Sequence, residues 1–218
     1  AYPTGIKGLE VDIKLGAEGA DSSSVDISMV TGQLKLSGGA TGGQLLIGKA
    51  VIPGSASLRP DYSKSISGEG QLTLKQEGYT TTWGGNGWIN EYDLQIAPDL
   101  PINLATELVA GDLVLDLGGT SVKQVDSQMA VGSQLISIPC IDGLSVEVTQ
   151  AVGFIALNIP EGCAVNIHLD NALVNTSIPA GYQRNGDEIS FAPPGSSGVA
   201  VDVRIALAVG AVGINGSK

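Results

Sequence analysis

Hydrophobic residues alternate with polar or small ones along almost the whole chain. Leu9, Val11, Ile13 and Leu15 open the pattern. Leu34 and Leu36, Leu72 and Leu74, then Leu113, Leu115 and Leu117 repeat it, and Val199, Val201, Val203, Ile205 and Leu207 close it. A period of two is the signature of a strand with one buried face. Gly, Asn, Pro and Ser interrupt these runs at short intervals, as turns do. Helical periodicity is nearly absent, so the pattern predicts an all-β chain of many short strands.

In the second half the alternation acquires a longer period. Gly111, Gly132 and Gly153 are 21 residues apart, and Ala172 and Gly210 are placed in the same series. Seven residues before these stand Leu104, Val125, Val146, Val165 and Val203; four after stand Leu115, Ile136, Leu157, Thr176 and Ile214. Leu117, Ile138, Ile159 and Ile178 follow, three of them trailed at once by Pro139, Pro160 and Pro179. A strand, a glycine bend, a second strand and a proline stop make one unit. Glycine adopts backbone angles that a side chain forbids, and proline ends a ladder because it has no N–H to donate. One such unit cannot bury its apolar side alone, whereas units stacked about 4.8 Å apart line up their aliphatics in columns.

The expectation is a β-solenoid-like stack, or right-handed β-roll, with about 20 residues per rung in the C-terminal half. Val25, Gly32 and Leu36 carry the same offsets in the first half. Residues 40–78 hold two more hairpin-like stretches, 53–64 read as a long loop, and 186–193 read as a shorter unit between rungs. The predicted organisation is one continuous domain: N-terminal rungs over 1–98, with a loop and an aromatic insertion, then regular rungs over 99–218.

Composition narrows the function. The chain carries 22 acidic and 11 basic residues, a net charge of −11, with no basic run. A nucleic-acid binder needs a positive footprint, so nucleic acid is excluded as a partner. No apolar run approaches the roughly 18 residues of a membrane helix, so no direct membrane insertion is expected. Only 15% of residues are charged while 31 are glycine, which fits a hydroxyl- and glycine-rich extracellular surface. The first residue, Ala1, reads as a processed start. The expected location is secreted or at the cell surface.

Particular runs carry a family resemblance. They are Asp93-Leu-Gln-Ile-Ala-Pro98, Leu100-Pro-Ile-Asn-Leu104, Ala110-Gly-Asp-Leu-Val-Leu-Asp-Leu117 and Ala130-Val-Gly-Ser-Gln-Leu-Ile-Ser-Ile-Pro139. Together with Leu15-Gly-Ala17 and the run from Gly32 to Gly39, they resemble the toast-rack domains of adhesin-like proteins and of cell-wall-active antibiotic response proteins. The chain departs from the family's Gly-x-Gly at Val109-Ala-Gly111 and Ala130-Val-Gly132, and it carries two cysteines. The resemblance implies a surface-exposed β-stack and brings no catalytic residues.

Few residues offer chemistry. His168 is the only histidine and sits on the polar side of an alternating strand; alone it completes neither a zinc site nor a Ser-His-Asp triad. Asp170-Asn171 and Asp187-Glu188 fall at turns, where hard oxygens can meet calcium, although their spacing matches no calcium loop. Calcium is the one cofactor left open, against a simpler reading as a solvated acidic edge. Gly84-Gly-Asn-Gly87 lacks the Lys and helix of a phosphate loop. Tyr79, Trp83, Trp88 and Tyr92 gather much of the scarce aromatic content. They would either stack sugars or a partner or cap the end of the stack. Cys140 and Cys163 flank adjacent rungs, where stacked turns bring Cα atoms to bridging distance; a disulfide is predicted, with two free thiols as the alternative. Asn175 and Asn215 head glycosylation sequons.

Three functions compete. The first is a non-enzymatic adhesin-like or structural surface protein, with its own copies as partner. It would assemble head to tail through end strands at 9–15 and 199–214. The second is a sensor ectodomain that binds a cell-envelope component. The third is a carbohydrate-binding module that uses the 79–92 segment.

Overall fold

The computed structural model describes residues 8–78, 90–193 and 200–216. Among these, every regular element is a strand: β1 (Leu9–Gly16), β2 (Ser22–Gly38), β3 (Gln44–Ile52), β4 (Ser57–Lys64), β5 (Glu69–Glu77), β6 (Glu91–Ile96), β7 (Ile102–Asp116), β8 (Val122–Ser137), β9 (Ser145–Ile159), β10 (Ala164–Ser177), β11 (Gln183–Asn185), β12 (Glu188–Phe191) and β13 (Ala200–Gly216). The all-β expectation holds. Hydrogen bonding links the strands in the order β1-β3-β6-β2-β7-β8-β9-β13-β10-β12-β11, with β4 and β5 branching from β2.

The long strands fold back on themselves. β7 has 15 residues and would span about 50 Å if straight. Val122, which opens β8, pairs with Ile102 at the start of β7. The link from Asp116 to Val122 reaches at most about 20 Å, so the far end of β7 must return towards its beginning. Pairing shows the same division. The first half of β2 lies beside β5 and its second half beside β6. Two half-sheets result, joined along a line of corners.

Side-chain alternation changes phase at that line. In β7 the buried positions are Ile102, Leu104, Thr106 and Leu108 before the corner and Leu113 and Leu115 after it. Both half-sheets therefore turn their aliphatic rows to one interior. The cost of the phase change is paired outward residues at the corner, such as Val109 and Ala110.

Glycine makes the corner possible. Gly32, Gly111, Gly132, Gly153 and Gly210 hold φ between +139° and +147° and pair in register across five strands. A Cβ on Gly132 would collide with the carbonyl oxygen of Gly111, and one on Gly111 with that of Gly32. Backbone packs on backbone here, and no larger residue fits. The interior is one cluster running from Ile13 to Ile214, and most of its members are almost wholly buried. Each large aliphatic so buried contributes about 1.5–3 kcal/mol.

Four expectations need correction. Residues 57–64 form β4, an edge strand antiparallel to β5, and not a loop; Pro60 is tolerated because an edge strand has no ladder to feed on its free side. Ala172 is not the counterpart of Gly210, which pairs with Val174; Val174 stands 21 residues after Gly153, so the period is kept, and Ala172 fits the offsets only because Pro179 stops β10 two residues sooner in the register than Pro160 stops β9. The sequential stacking of β7, β8 and β9 does not continue, since β13 inserts between β9 and β10. Of the 199–214 stretch, the described part, 200–214, is therefore interior and not a terminal strand.

Candidate functional site

The outer face of the first half-sheet carries a cross-strand polar row. Glu147 on β9, Arg204 on β13, His168 on β10 and Glu188 on β12 stand side by side in register. His168 Nδ1 lies 2.6 Å from Glu188 Oε1, with both side chains substantially exposed. One step along the strands, Asn166 donates from Nδ2 to Asp202 Oδ1 at 3.3 Å. These rows line a shallow depression of about 270 Å³, floored by Val146 and Val203 and bounded by Ser145. Strand alternation puts the whole set on one face. The His168–Glu188 contact lies across the seam between β10 and the β12 hairpin, which pair through the backbone.

The cysteines are joined. Cys140 follows β8 and Cys163 precedes β10, and their Cα atoms are 5.6 Å apart in the disulfide. The bridge ties two neighbouring turns on the side of the molecule away from the glycine corners. Cys163 is fully buried and Cys140 exposed.

The aromatic segment divides. Tyr79, Trp83 and Trp88 lie outside the described residues. Tyr92 does not face a partner: it is 1% exposed, on β6 within the core, and its hydroxyl donates to Gln76 Oε1 at 3.2 Å. Burial pushes that hydroxyl's pKa well above the ordinary tyrosine range. The contact reading is corrected for this residue because β6 pairs in register with β2 and places Tyr92 beside Leu34 in an inward column.

Both sequon asparagines are exposed. Asn175 sits on β10. Asn215 donates from Nδ2 to Asn158 Oδ1 at 3.0 Å, and Asn158 donates to Ser137 Oγ at 3.0 Å, forming a ladder across β13, β9 and β8. The backbone brings Asp187 beside Leu169, whose N–H its carbonyl oxygen accepts at 2.8 Å, and among the described residues no three metal-ligating side chains gather.

One feature escaped the sequence reading. Beneath the corners, Thr106 Oγ1 donates to Ser127 Oγ at 3.0 Å, Ser127 Oγ to Gln134 Oε1 at 2.6 Å, and Gln134 Nε2 to Gln150 Oε1 at 3.0 Å. Gln150 Nε2 then reaches the carbonyl oxygens of Gly132 at 2.7 Å and Val152 at 3.0 Å. All four side chains are buried. Only the registers reveal it: Gln134 lies between Leu113 and Ile155, Gln150 beside Met129, and Thr106 and Ser127 together between Ile27 and Val148, in columns otherwise apolar.

The family model for the N-terminal domain of toast_rack, DUF2154, matches residues 6–158. This chain belongs to the toast-rack family.

Among solved structures, a candidate cell-adhesion protein from Clostridium sporogenes ATCC 15579 is similar over 97% of this chain and 100% of its own, with a TM-score of 0.85 and 20% identity. That likeness shows a shared toast-rack fold, extending past the matched region to β10 and β13. A candidate adhesin from Bacteroides fragilis NCTC 9343 aligns over 98% of this chain and 99% of its own, but with a TM-score of 0.26 and 8% identity, and no shared fold follows from it. No curated protein matches the sequence. Among the described residues no helix is long and apolar enough to cross a membrane.

Proposed function

We propose that this toast-rack chain is a non-enzymatic structural or adhesion module working on the extracellular side of the cell. The observation that carries the reading is the disulfide between adjacent turns, a bond that persists in oxidising compartments. It staples a stack whose outer faces present long in-register rows of polar side chains. Such rows offer a broad docking face for an envelope component or another protein. The reading takes 1–98 and 99–218 as one continuous unit, a solenoid-like roll, since a single ladder order and a single interior run through both.

A second reading concerns the partner. The stack has ends, and the interior columns are less covered there: Val11 and Leu15 on β1, and Val174 and Ile178 at the other end, are only partly buried. This favours copies of the chain as mutual partners, joined head to tail.

Immunolabelling of intact producing cells, with antibody raised on the purified chain, tests the location. Labelling without permeabilisation is the expected result. Labelling that appears only after permeabilisation overturns the reading.

A further inference from the structure

The second half-sheet ends, on one side, at β10. The hairpin of β11 and β12 extends the first half-sheet, because β12 pairs with residues 165–168. Residues 173–177 pair only with β13. Their far side has no strand among the described residues. A free edge of this kind directs every second N–H and C=O away from the sheet.

Proteins usually blunt such edges with charge, proline or brevity, and two of the other three ends of this sheet, β4 and β11, are blunted. β4 carries Arg59, Pro60, Asp61 and Lys64. β11 is three residues long and includes Arg184. β1 keeps its charges, Glu10, Asp12 and Lys14, on the outer face opposite Val11, Ile13 and Leu15, with Glu10 paired to Lys49 at 2.5 Å, so its edge stays open. Residues 173–177 are Leu, Val, Asn, Thr and Ser, without charge or proline, and Leu173 is 74% exposed.

The register supplies the occupant. The registers of β3 with β6 and of β6 with β2, continued by one residue to Ile52 and Asn90, place Leu9 of β1 in the corner column that passes through Gly32 and Gly210 to Val174 at the far edge. Val11 lies in the column of Ala50, Tyr92, Leu34 and Leu113, which ends at Thr176. The two ends of each column are thus complementary in side-chain type and direction. β1 also runs the same way as β10, because two antiparallel steps, β1 to β3 and β3 to β6, precede the parallel block. At the β1 end, Leu9 is 52% exposed, an aliphatic that the column leaves uncovered. A molecule of net charge −11 resists self-association in general, but the acceptor edge carries none of that charge.

We infer that residues 173–177 accept, in parallel, strand β1 of a second copy of the chain, with Leu9 of the incoming strand covering Val174 and its Val11 covering Thr176. The contact joins two different surfaces, so it does not close on itself and builds an open head-to-tail polymer. This rests on the self-partner reading above and names the strands that would carry it.

The test uses the full chain with Leu9→Cys and Val174→Cys together. Within one copy these positions are separated by eight strand spacings, about 38 Å, so no bridge can form internally. The expected result under mild oxidation is a ladder of dimers, trimers and longer oligomers on a non-reducing gel, absent from either single variant. Leu9→Lys, at a site exposed in the monomer, should leave thermal unfolding unchanged while weakening assembly more than roughly tenfold by light scattering. A wild-type chain that stays monomeric at high concentration overturns the edge pairing. So does a population of closed dimers alone, which means two β10 edges pairing with each other. Neither result touches the extracellular reading, which falls only with the immunolabelling.

Discussion

Five strands of this molecule turn the corner on a glycine, and one, β10, turns it on Val174. Gly32, Gly111, Gly132, Gly153 and Gly210 share one backbone geometry, whereas Val174, which pairs with Gly210, keeps an ordinary negative φ. The difference follows from position. An interior strand must bend as both neighbours bend, and the close backbone contact leaves no room for Cβ. The last strand has nothing on its far side to match, so its corner is free to relax. A third solution appears at β6, where no single strand makes the bend. Asn90 closes the column instead, donating from Nδ2 to the carbonyl oxygen of Thr31 at 2.8 Å and accepting the N–H of Gln33 at 2.9 Å.

The largest effect should come from forcing the β10 solution onto an interior strand. Gly132→Val puts a branched side chain against the carbonyl oxygen of Gly111 at φ +146°, where neither backbone can yield. Destabilisation above about 4 kcal/mol is expected in urea unfolding. The control is Gly143→Ala, at φ +74° with nothing within 4 Å, which should cost about 1 kcal/mol. Equal losses in the two variants would show that backbone angle alone, and not the stacked corner, makes glycine necessary.

The opposite side of the stack, where turns join the rungs, is held covalently. Cys140→Ser with Cys163→Ala removes the tie across a 23-residue separation and should lower stability by about 3 kcal/mol. A loss as large as that from Gly132→Val would move the weight of the fold from the corners to the turns.

The interior beneath the corners also separates the middle of the stack from its ends, because the buried polar chain spans only β7, β8 and β9. Gln134→Leu leaves Ser127 and Gln150 without their partner, and a loss of about 2 kcal/mol is expected. Restoration by the added replacements Ser127→Val and Gln150→Leu would show that the chain fixes register and contributes little net stability.

The same contrast explains what was legible in the sequence. The repeat through Gly111, Gly132 and Gly153 could be read because in that block chain order and spatial order coincide: every rung stacks on the one before it, and the period is kept. The series runs on to Val174, 21 residues after Gly153, and points to Ala172 instead because Pro179 stops β10 two residues sooner in the register than Pro160 stops β9; that β13 comes between β9 and β10 is not legible at all, since nothing local in a strand announces which neighbour it will take. The misread loop at 57–64 has a similar cause. Charge and Pro60 look like loop composition, and they are equally the composition of a protected edge. Tyr92 was grouped with Trp83 and Trp88 by proximity in the chain, yet its register with Leu34, fixed by β2 nearly 60 residues away, turns it inward. The cysteine pair was predictable because adjacent turns follow adjacent rungs there. The polar chain needed column membership, which exists only once registers are known.

The smallest expected effect bears on the free end of the stack. Val174→Gly gives β10 the residue that its interior neighbours require. If β10 is relaxed because it is last, glycine brings it no benefit, and the half-buried valine's contacts and strand propensity are lost. The cost should be about 1 kcal/mol, read as a small drop in urea midpoint with an unchanged slope. A gain in stability would mean that β10 is strained at its corner and would bend like β13 if its side chain allowed. The free edge at 173–177 would then be a consequence of Val174 itself, and the glycine variant should realign that edge and change how it receives a strand.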